Sequence, residues 1–214
     1  MRKLPNKYEF LIDGPVGDLE GLLERPPEAD LAGIVVVCHP HPVHGGTLQN
    51  KVTHTLARSF VSQNFAALRF NFRGVGKSAG EFDNGEGELD DVLAAVEWLR
   101  DEYPDEPLWI AGFSFGAAMA VRAAIAAGAG GLVSIAPAVS RFANNLDTQP
   151  ECPWLIVQGD QDELVDIDET IEWVNTLDPG PELDVFPDTE HFFHGKLVLL
   201  RSAVEAFIEK HQTA

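Results

Sequence analysis

The chain has 214 residues, of which 34 are acidic and 15 basic, giving a formal net charge of -19, and 45% are hydrophobic. That length suits one domain, read here as residues 1–214, with a core of several layers that needs neither metal nor disulfide. The negative field excludes nucleic-acid backbones and anionic lipid surfaces as general partners, leaving a small molecule as the expected one.

The N-terminal "MRKLPNKYEF" has no continuous apolar run, and the apolar stretch 117–136 is interrupted by Arg122 and several glycines, so a cytoplasmic protein is expected. "YEFLI" and "LEGLLER" flank the turn-rich "DGPVGD" and predict a hairpin. "GIVVVC" is a continuous apolar run of the kind that suits a strand buried on both faces. The pattern returns in "NFAALRFNF", "PLWIAGF", "GLVSIA", "PWLIVQ" and "LDVF", with helical segments between most of them. In "GELDDVLAAVEWLRDEY", Leu89, Val92, Leu93, Val96 and Leu99 form one stripe, and Glu88, Asp90 and Asp91 fall in the first turn, where the helix dipole favours anions. Further helices are predicted over "AAMAVRAAIAAG", stopping near Gly128, and over "KLVLLRSAVEAFIEKH". Cys38 and Cys152 each adjoin an apolar run and read as reduced core residues.

Gly76-Lys77-Ser78, following the alternating apolar Leu68, Phe70 and Phe72, invites comparison with a phosphate-binding loop. Such a loop needs G-x-x-x-x-G-K-[ST] and a helix N-terminus directly after it. Asn71 stands where the first glycine belongs, and "AGEFDNGEGE" follows Ser78 with no apolar stripe before Leu89. The segment therefore reads as a turn-rich connection in which Arg73 and Lys77 are solvated or salt-bridged.

"LWIAGFSFGAAMAV" carries the strongest chemical signal: a strand, then Gly112-Phe113-Ser114-Phe115-Gly116, then a helix. A strand that turns this sharply into a helix strains Ser114 and exposes its hydroxyl, and Gly112 and Gly116 supply the room. The N-H of Phe115, at the helix start, points to where an oxyanion would form. A serine nucleophile needs a base and an orienting acid. "GDQDELV" after one strand and "PDTEHFFHGK" after the last offer Asp162 and His191, with Asp160, Asp166 and Asp168 as rival acids and His194 as rival base. In "CHPHPVHGGTLQN", Pro40 and Pro42 have no N-H, so within that quartet only His39 and His41 can give a second oxyanion donor, and His41 is chosen. The rival reading of His39, His41 and His44 as metal ligands lacks an accompanying Cys or acidic residue in the segment, so no metal or cofactor is expected.

These motifs together resemble the α/β-hydrolase superfamily, in particular its small lidless bacterial members described as carboxylesterases and related to dienelactone hydrolase. "HPHPVHGGTLQNKV", "RFNFRGVGKSAGEFDNGEGELDD", "GFSFG", "GDQDELV" and "HFFHG" occur in that family's order and span nearly the whole chain. The resemblance explains Arg73 to Ser78 as the family's R-G-x-G-x-S loop. It implies an α/β-hydrolase fold with a mostly parallel sheet of about eight strands, helices on both faces and no cap domain. It also implies Ser114 as nucleophile, Asp162 as acid and His191 as base. Only about fifteen residues separate "GLVSIAP" from "CPWLIVQ", too few for a folded lid. Phe113, Phe115, Phe142, Phe192, Phe193 and His44 are then candidates for substrate contact. The expected activity is hydrolysis of small esters or thioesters through an acyl-enzyme; the alternative is a binding or scaffolding protein that keeps the fold without turnover.

Overall fold

The computed structural model describes residues 6–27, 30–143 and 148–212. Eight strands form one sheet in the order β1-β2-β4-β3-β5-β6-β7-β8. The hairpin of β1 (Lys7–Ile12) and β2 (Leu19–Glu24) is antiparallel, and β2 runs antiparallel to β4 (Phe65–Phe70). From β4 onward every neighbouring pair is parallel: β3 (Gly33–Cys38), β5 (Leu108–Phe113), β6 (Gly131–Ile135), β7 (Trp154–Gly159) and β8 (Glu182–Phe186). The mostly parallel eight-stranded sheet is the one the family resemblance implied, and its strands fall on the apolar runs.

The central strands are buried along their whole length because each feeds two cores. In β3, Ile34, Val36 and Cys38 point into one core, and Val35 and Val37 into the other, as the two-residue period of a strand requires. The first core is closed by α2 (Glu86–Glu102) and α3 (Phe115–Ala127), with Trp173 and Val174 of α5 (Ile167–Val174) packed against it. The second is closed by α1 (Lys51–Ser62) and α6 (Leu197–His211), where Phe60, Phe65 and Trp109 meet edge to face. A one-turn helix, α4 (Val139–Phe142), follows β6. Cys38 is fully buried, and Cys152 is only partly buried against the first core.

Local signals account for most boundaries. Asn50 caps α1 through its side-chain oxygen, and Gly128 ends α3 in the left-handed conformation at φ 59°. The acids at the start of α2 divide their roles. Glu88 accepts the N-H groups of Asp83 and Gly85 at 2.8 and 2.7 Å, while Asp91, also fully buried, turns away to pair with Arg73. Among the described residues, no helix is long and apolar enough to cross a membrane.

Candidate active site

The loops after β3, β5, β7 and β8 meet at the carboxyl ends of the parallel strands, where the dipoles and free backbone groups of a doubly wound sheet converge. Between β5 and α3, Ser114 adopts φ 57° and ψ -119°, a left-handed conformation costly for a residue with a Cβ. Its neighbours have no room for one. A Cβ on Gly112 would lie 2.2 Å from the Gly116 carbonyl oxygen, and one on Gly116 would lie 2.3 Å from that of His39. The turn is pinned by the Ser114 N-H, which donates to Ile135 C=O at 2.8 Å.

Ser114 Oγ lies 3.0 Å from His191 Nε2, and His191 Nδ1 lies 2.8 Å from Asp162 Oδ2. Because the carboxylate can only accept, Nδ1 carries the proton and Nε2 is left to accept from the serine hydroxyl. The His191 and Asp162 side chains are 2% and 0% exposed, so water competes with neither contact. Asp162 is held from several sides. Its Oδ1 accepts the N-H groups of Leu164 and Val165 at 2.9 and 2.8 Å, and its Oδ2 accepts from Gln158 Nε2 at 2.9 Å as well as from His191. The rival acid Asp160 faces Thr189 N-H, and the rival base His194 is exposed and pairs with Glu190. Asp166 caps α5 through Asp168 N-H. Geometry therefore separates residues that spacing alone left as alternatives.

The histidine-proline loop folds back on itself around one carbonyl. The N-H groups of His44 and Gly46 both donate to His41 C=O, at 3.1 and 3.0 Å, and a Cβ on Gly46 would strike the Pro40 carbonyl oxygen at 2.0 Å. The N-H groups of His41 and Phe115 donate to no acceptor among the described residues, and both residues border the cleft. His39 is buried and turned away from the cleft. Its Nε2 accepts Phe72 N-H at 3.1 Å, which leaves Nδ1 protonated to donate to Pro40 C=O at 2.6 Å. With both ring nitrogens engaged, it cannot converge on an ion with His41 and His44. Burial pushes the His39 pKa down to about 4, and burial with the nearby His44 and Arg141 charges lowers that of His41.

Around Ser114 the cleft measures about 740 Å³. Its lining includes His41, His44 and Arg141 as well as the acidic Glu163, Asp166 and Glu169. Of the aromatic candidates, His44, Phe115, Phe142 and Phe192 border it, whereas Phe113 and Phe193 are wholly buried in the second core. Between β6 and β7 the described residues include one short helix and no lid.

Gln158 escaped the sequence reading because it sits inside a strand recognised by its apolar run. A polar residue in the next-to-last position of a buried strand was the available signal. Arg73 is likewise more than a loop cation: its guanidinium makes a two-pronged contact with Asp91, which raises its pKa further, and the pair is 7% and 0% exposed.

The family model described as "Serine aminopeptidase, S33" matches residues 30–146. A lidless α/β serine hydrolase from Xanthomonas campestris has a similar structure, with 42% identity and a TM-score of 0.93 over 97% of this chain and 96% of that one. An α/β serine hydrolase homologue from Coxiella burnetii shares 42% identity with a TM-score of 0.90, covering 95% of this chain and 98% of its own. An uncharacterized protein from Rickettsia prowazekii (strain Madrid E) is 31% identical over 210 residues, 94% of this chain and 88% of its own.

Proposed function

Because the chain belongs to the α/β-hydrolase superfamily, within the family of serine hydrolases whose model it matches, we propose that it hydrolyses small carboxylic esters or thioesters through Ser114, His191 and Asp162. The observation that carries this reading is the unbroken hydrogen-bonded chain from Ser114 Oγ through His191 to a buried Asp162, at 3.0 and 2.8 Å. His191 Nε2 takes the Ser114 proton as Oγ attacks the carbonyl carbon, and the N-H groups of Phe115 and His41 receive the charge that forms on the carbonyl oxygen. Asp162 keeps Nδ1 protonated and stabilises the imidazolium. The imidazolium returns its proton to the departing alcohol or thiol, and water activated by the same nitrogen releases the acid.

Every group in this scheme is a side chain or backbone N-H of the chain itself, so the reaction requires no cofactor. The reading takes residues 1–214 as one hydrolase domain acting on a small molecule in the cytoplasm, with neither nucleic acid nor membrane as partner. The test is fluorophosphonate labelling read by mass spectrometry, alongside turnover of short-chain p-nitrophenyl esters and of aminoacyl p-nitroanilides. Ester turnover and labelling that disappear together in Ser114→Ala are expected. Anilide turnover exceeding ester turnover would replace the esterase assignment with a peptidase one. A well-folded wild type that neither labels nor turns over either substrate would favour the non-catalytic binding protein.

A further inference from the structure

Gln158 presents an unusual account of buried polarity. It is fully buried in β7, a strand otherwise suited to apolar side chains, and its Oε1 has no partner among the described residues. Leaving a buried carbonyl oxygen unpaired costs its full desolvation, which an apolar residue of similar volume would avoid. The amide orientation is nevertheless determined. Nε2 lies 2.9 Å from Asp162 Oδ2 and 3.1 Å from Val165 C=O, both of them acceptors, so turning the amide over would set oxygen against oxygen twice. Both amide protons are therefore committed, one to the acid that meets His191 and one to the far end of the turn that carries it.

We infer that Gln158 is a positioning residue for the Ser114–His191–Asp162 relay, an inference that rests on the hydrolase reading above. Asp162 Oδ2 is shared between Gln158 and His191 Nδ1, while Oδ1 is fixed by Leu164 and Val165. The amide sets the rotation of the carboxylate about its own axis and takes part of the charge on Oδ2. Loosening that rotation misplaces the imidazole relative to Ser114 Oγ, and a displacement of about 1 Å can lower a rate ~100-fold. The other ionisable groups of this neighbourhood among the described residues include His191, from the β8 loop, Glu163 and Asp160, from Asp162's own loop, and Asp166 and Glu169 at the start of α5. Glu163 accepts the His191 N-H, and Asp160 faces Thr189.

The decisive variants are Gln158→Met, which keeps the volume and removes both donors, and Gln158→His. Histidine Nε2 is as many bonds from Cβ as glutamine Nε2, so it can return the donor to Asp162 while leaving Val165 C=O unserved. Gln158→Met is expected to lower kcat on p-nitrophenyl acetate by ~10–100-fold, with KM within about twofold. The acid limb of kcat/KM against pH should move to higher pH, because Oδ2, relieved of the amide, binds the imidazolium more strongly. Gln158→His is expected to recover part of the rate and part of the shift. A Met variant with kcat within about twofold of wild type, an unmoved acid limb, or equal losses in the two variants would overturn the inference and leave Gln158 a tie for the turn alone. Should the wild type turn over no ester, the Nδ1 proton resonance of His191 decides. A resonance that moves in Gln158→Met sustains the positioning role, and one that stays unchanged overturns it.

Discussion

Two polar loops at the carboxyl ends of the sheet use the same kinds of residue to different ends. After β4, residues 71–80 bury Asn71, Arg73 and Ser78; after β7, residues 159–165 bury the Asp162 side chain. In the first, every buried polar group is closed on the protein itself. Arg73 pairs with Asp91 of α2, Asn71 bridges Leu48 N-H and Glu20, and Ser78 joins Asn71 C=O to Glu20 N-H. In the second, the buried carboxylate passes its last acceptor position to a histidine whose other nitrogen meets a serine at the cleft. Burial and charge alone do not mark a reactive loop. What matters is whether the hydrogen-bonded chain ends inside the protein or at a space that a substrate can enter.

Breaking each loop should therefore separate rate from stability. The largest effect is expected on the second: Asp162→Asn should lower kcat about 10⁴-fold, the loss known for removal of an orienting acid, measured as ester turnover against labelling stoichiometry. In the first loop, Arg73→Leu strands Asp91 and should cost about 3–5 kcal/mol in urea unfolding. The kcat of its folded fraction should stay within about threefold of wild type, and a rate loss like that of Asp162→Asn would dissolve the contrast.

His39, between the two loops, makes stability depend on pH. Burial depresses its folded pKa to about 4, whereas the unfolded chain takes up the proton near its ordinary value of 6.5. The unfolded state thus binds more protons as pH falls from about 6.5 to 4, and stability should decline by about 3 kcal/mol over that window. Glu20 and Glu24, whose pKa values are lowered by hydrogen bonds and nearby cations against the opposing effect of burial, lose their contribution only below about 4.5, as pH falls through their folded values. Denaturant titrations at pH 7 and pH 5 should therefore differ for wild type and differ less for His39→Asn. The smallest effect belongs to Lys77. Its side chain is 69% exposed, so Lys77→Gln should change stability by no more than about 0.5 kcal/mol, and a larger change would make this lysine part of the buried network.

Local patterning made much of this legible. The apolar runs marked the strands, and glycines 112 and 116 marked the turn at Ser114, since both depend on neighbours close in sequence. Asp162 and Asp160 were not separable by spacing, because the distinction lies in which carboxylate the 162–165 turn wraps with its own N-H groups. His39 was weighed as a ligand or donor and proved to be a buried brace, because its partner Phe72 arrives from the loop after the neighbouring β4, 33 residues later. Arg73 read as solvated or salt-bridged and proved to be salt-bridged, but its partner was hidden for the same reason: Asp91 reaches it from a helix whose early acids also suited the dipole. Gln158 was concealed by the hydrophobicity of the strand around it.

The base of the proposed relay hangs from β8, which among the described residues is an edge strand bonded to β7 alone, exposed or half-exposed at every position except Phe186. Edge elements with few buried contacts open at a fraction of the free energy of the whole fold. On warming, His191 should part from Ser114 while the inner strands remain paired, so hydrolytic function should fail several degrees before the sheet melts. The margin between those two temperatures would measure how firmly one outermost strand is tethered.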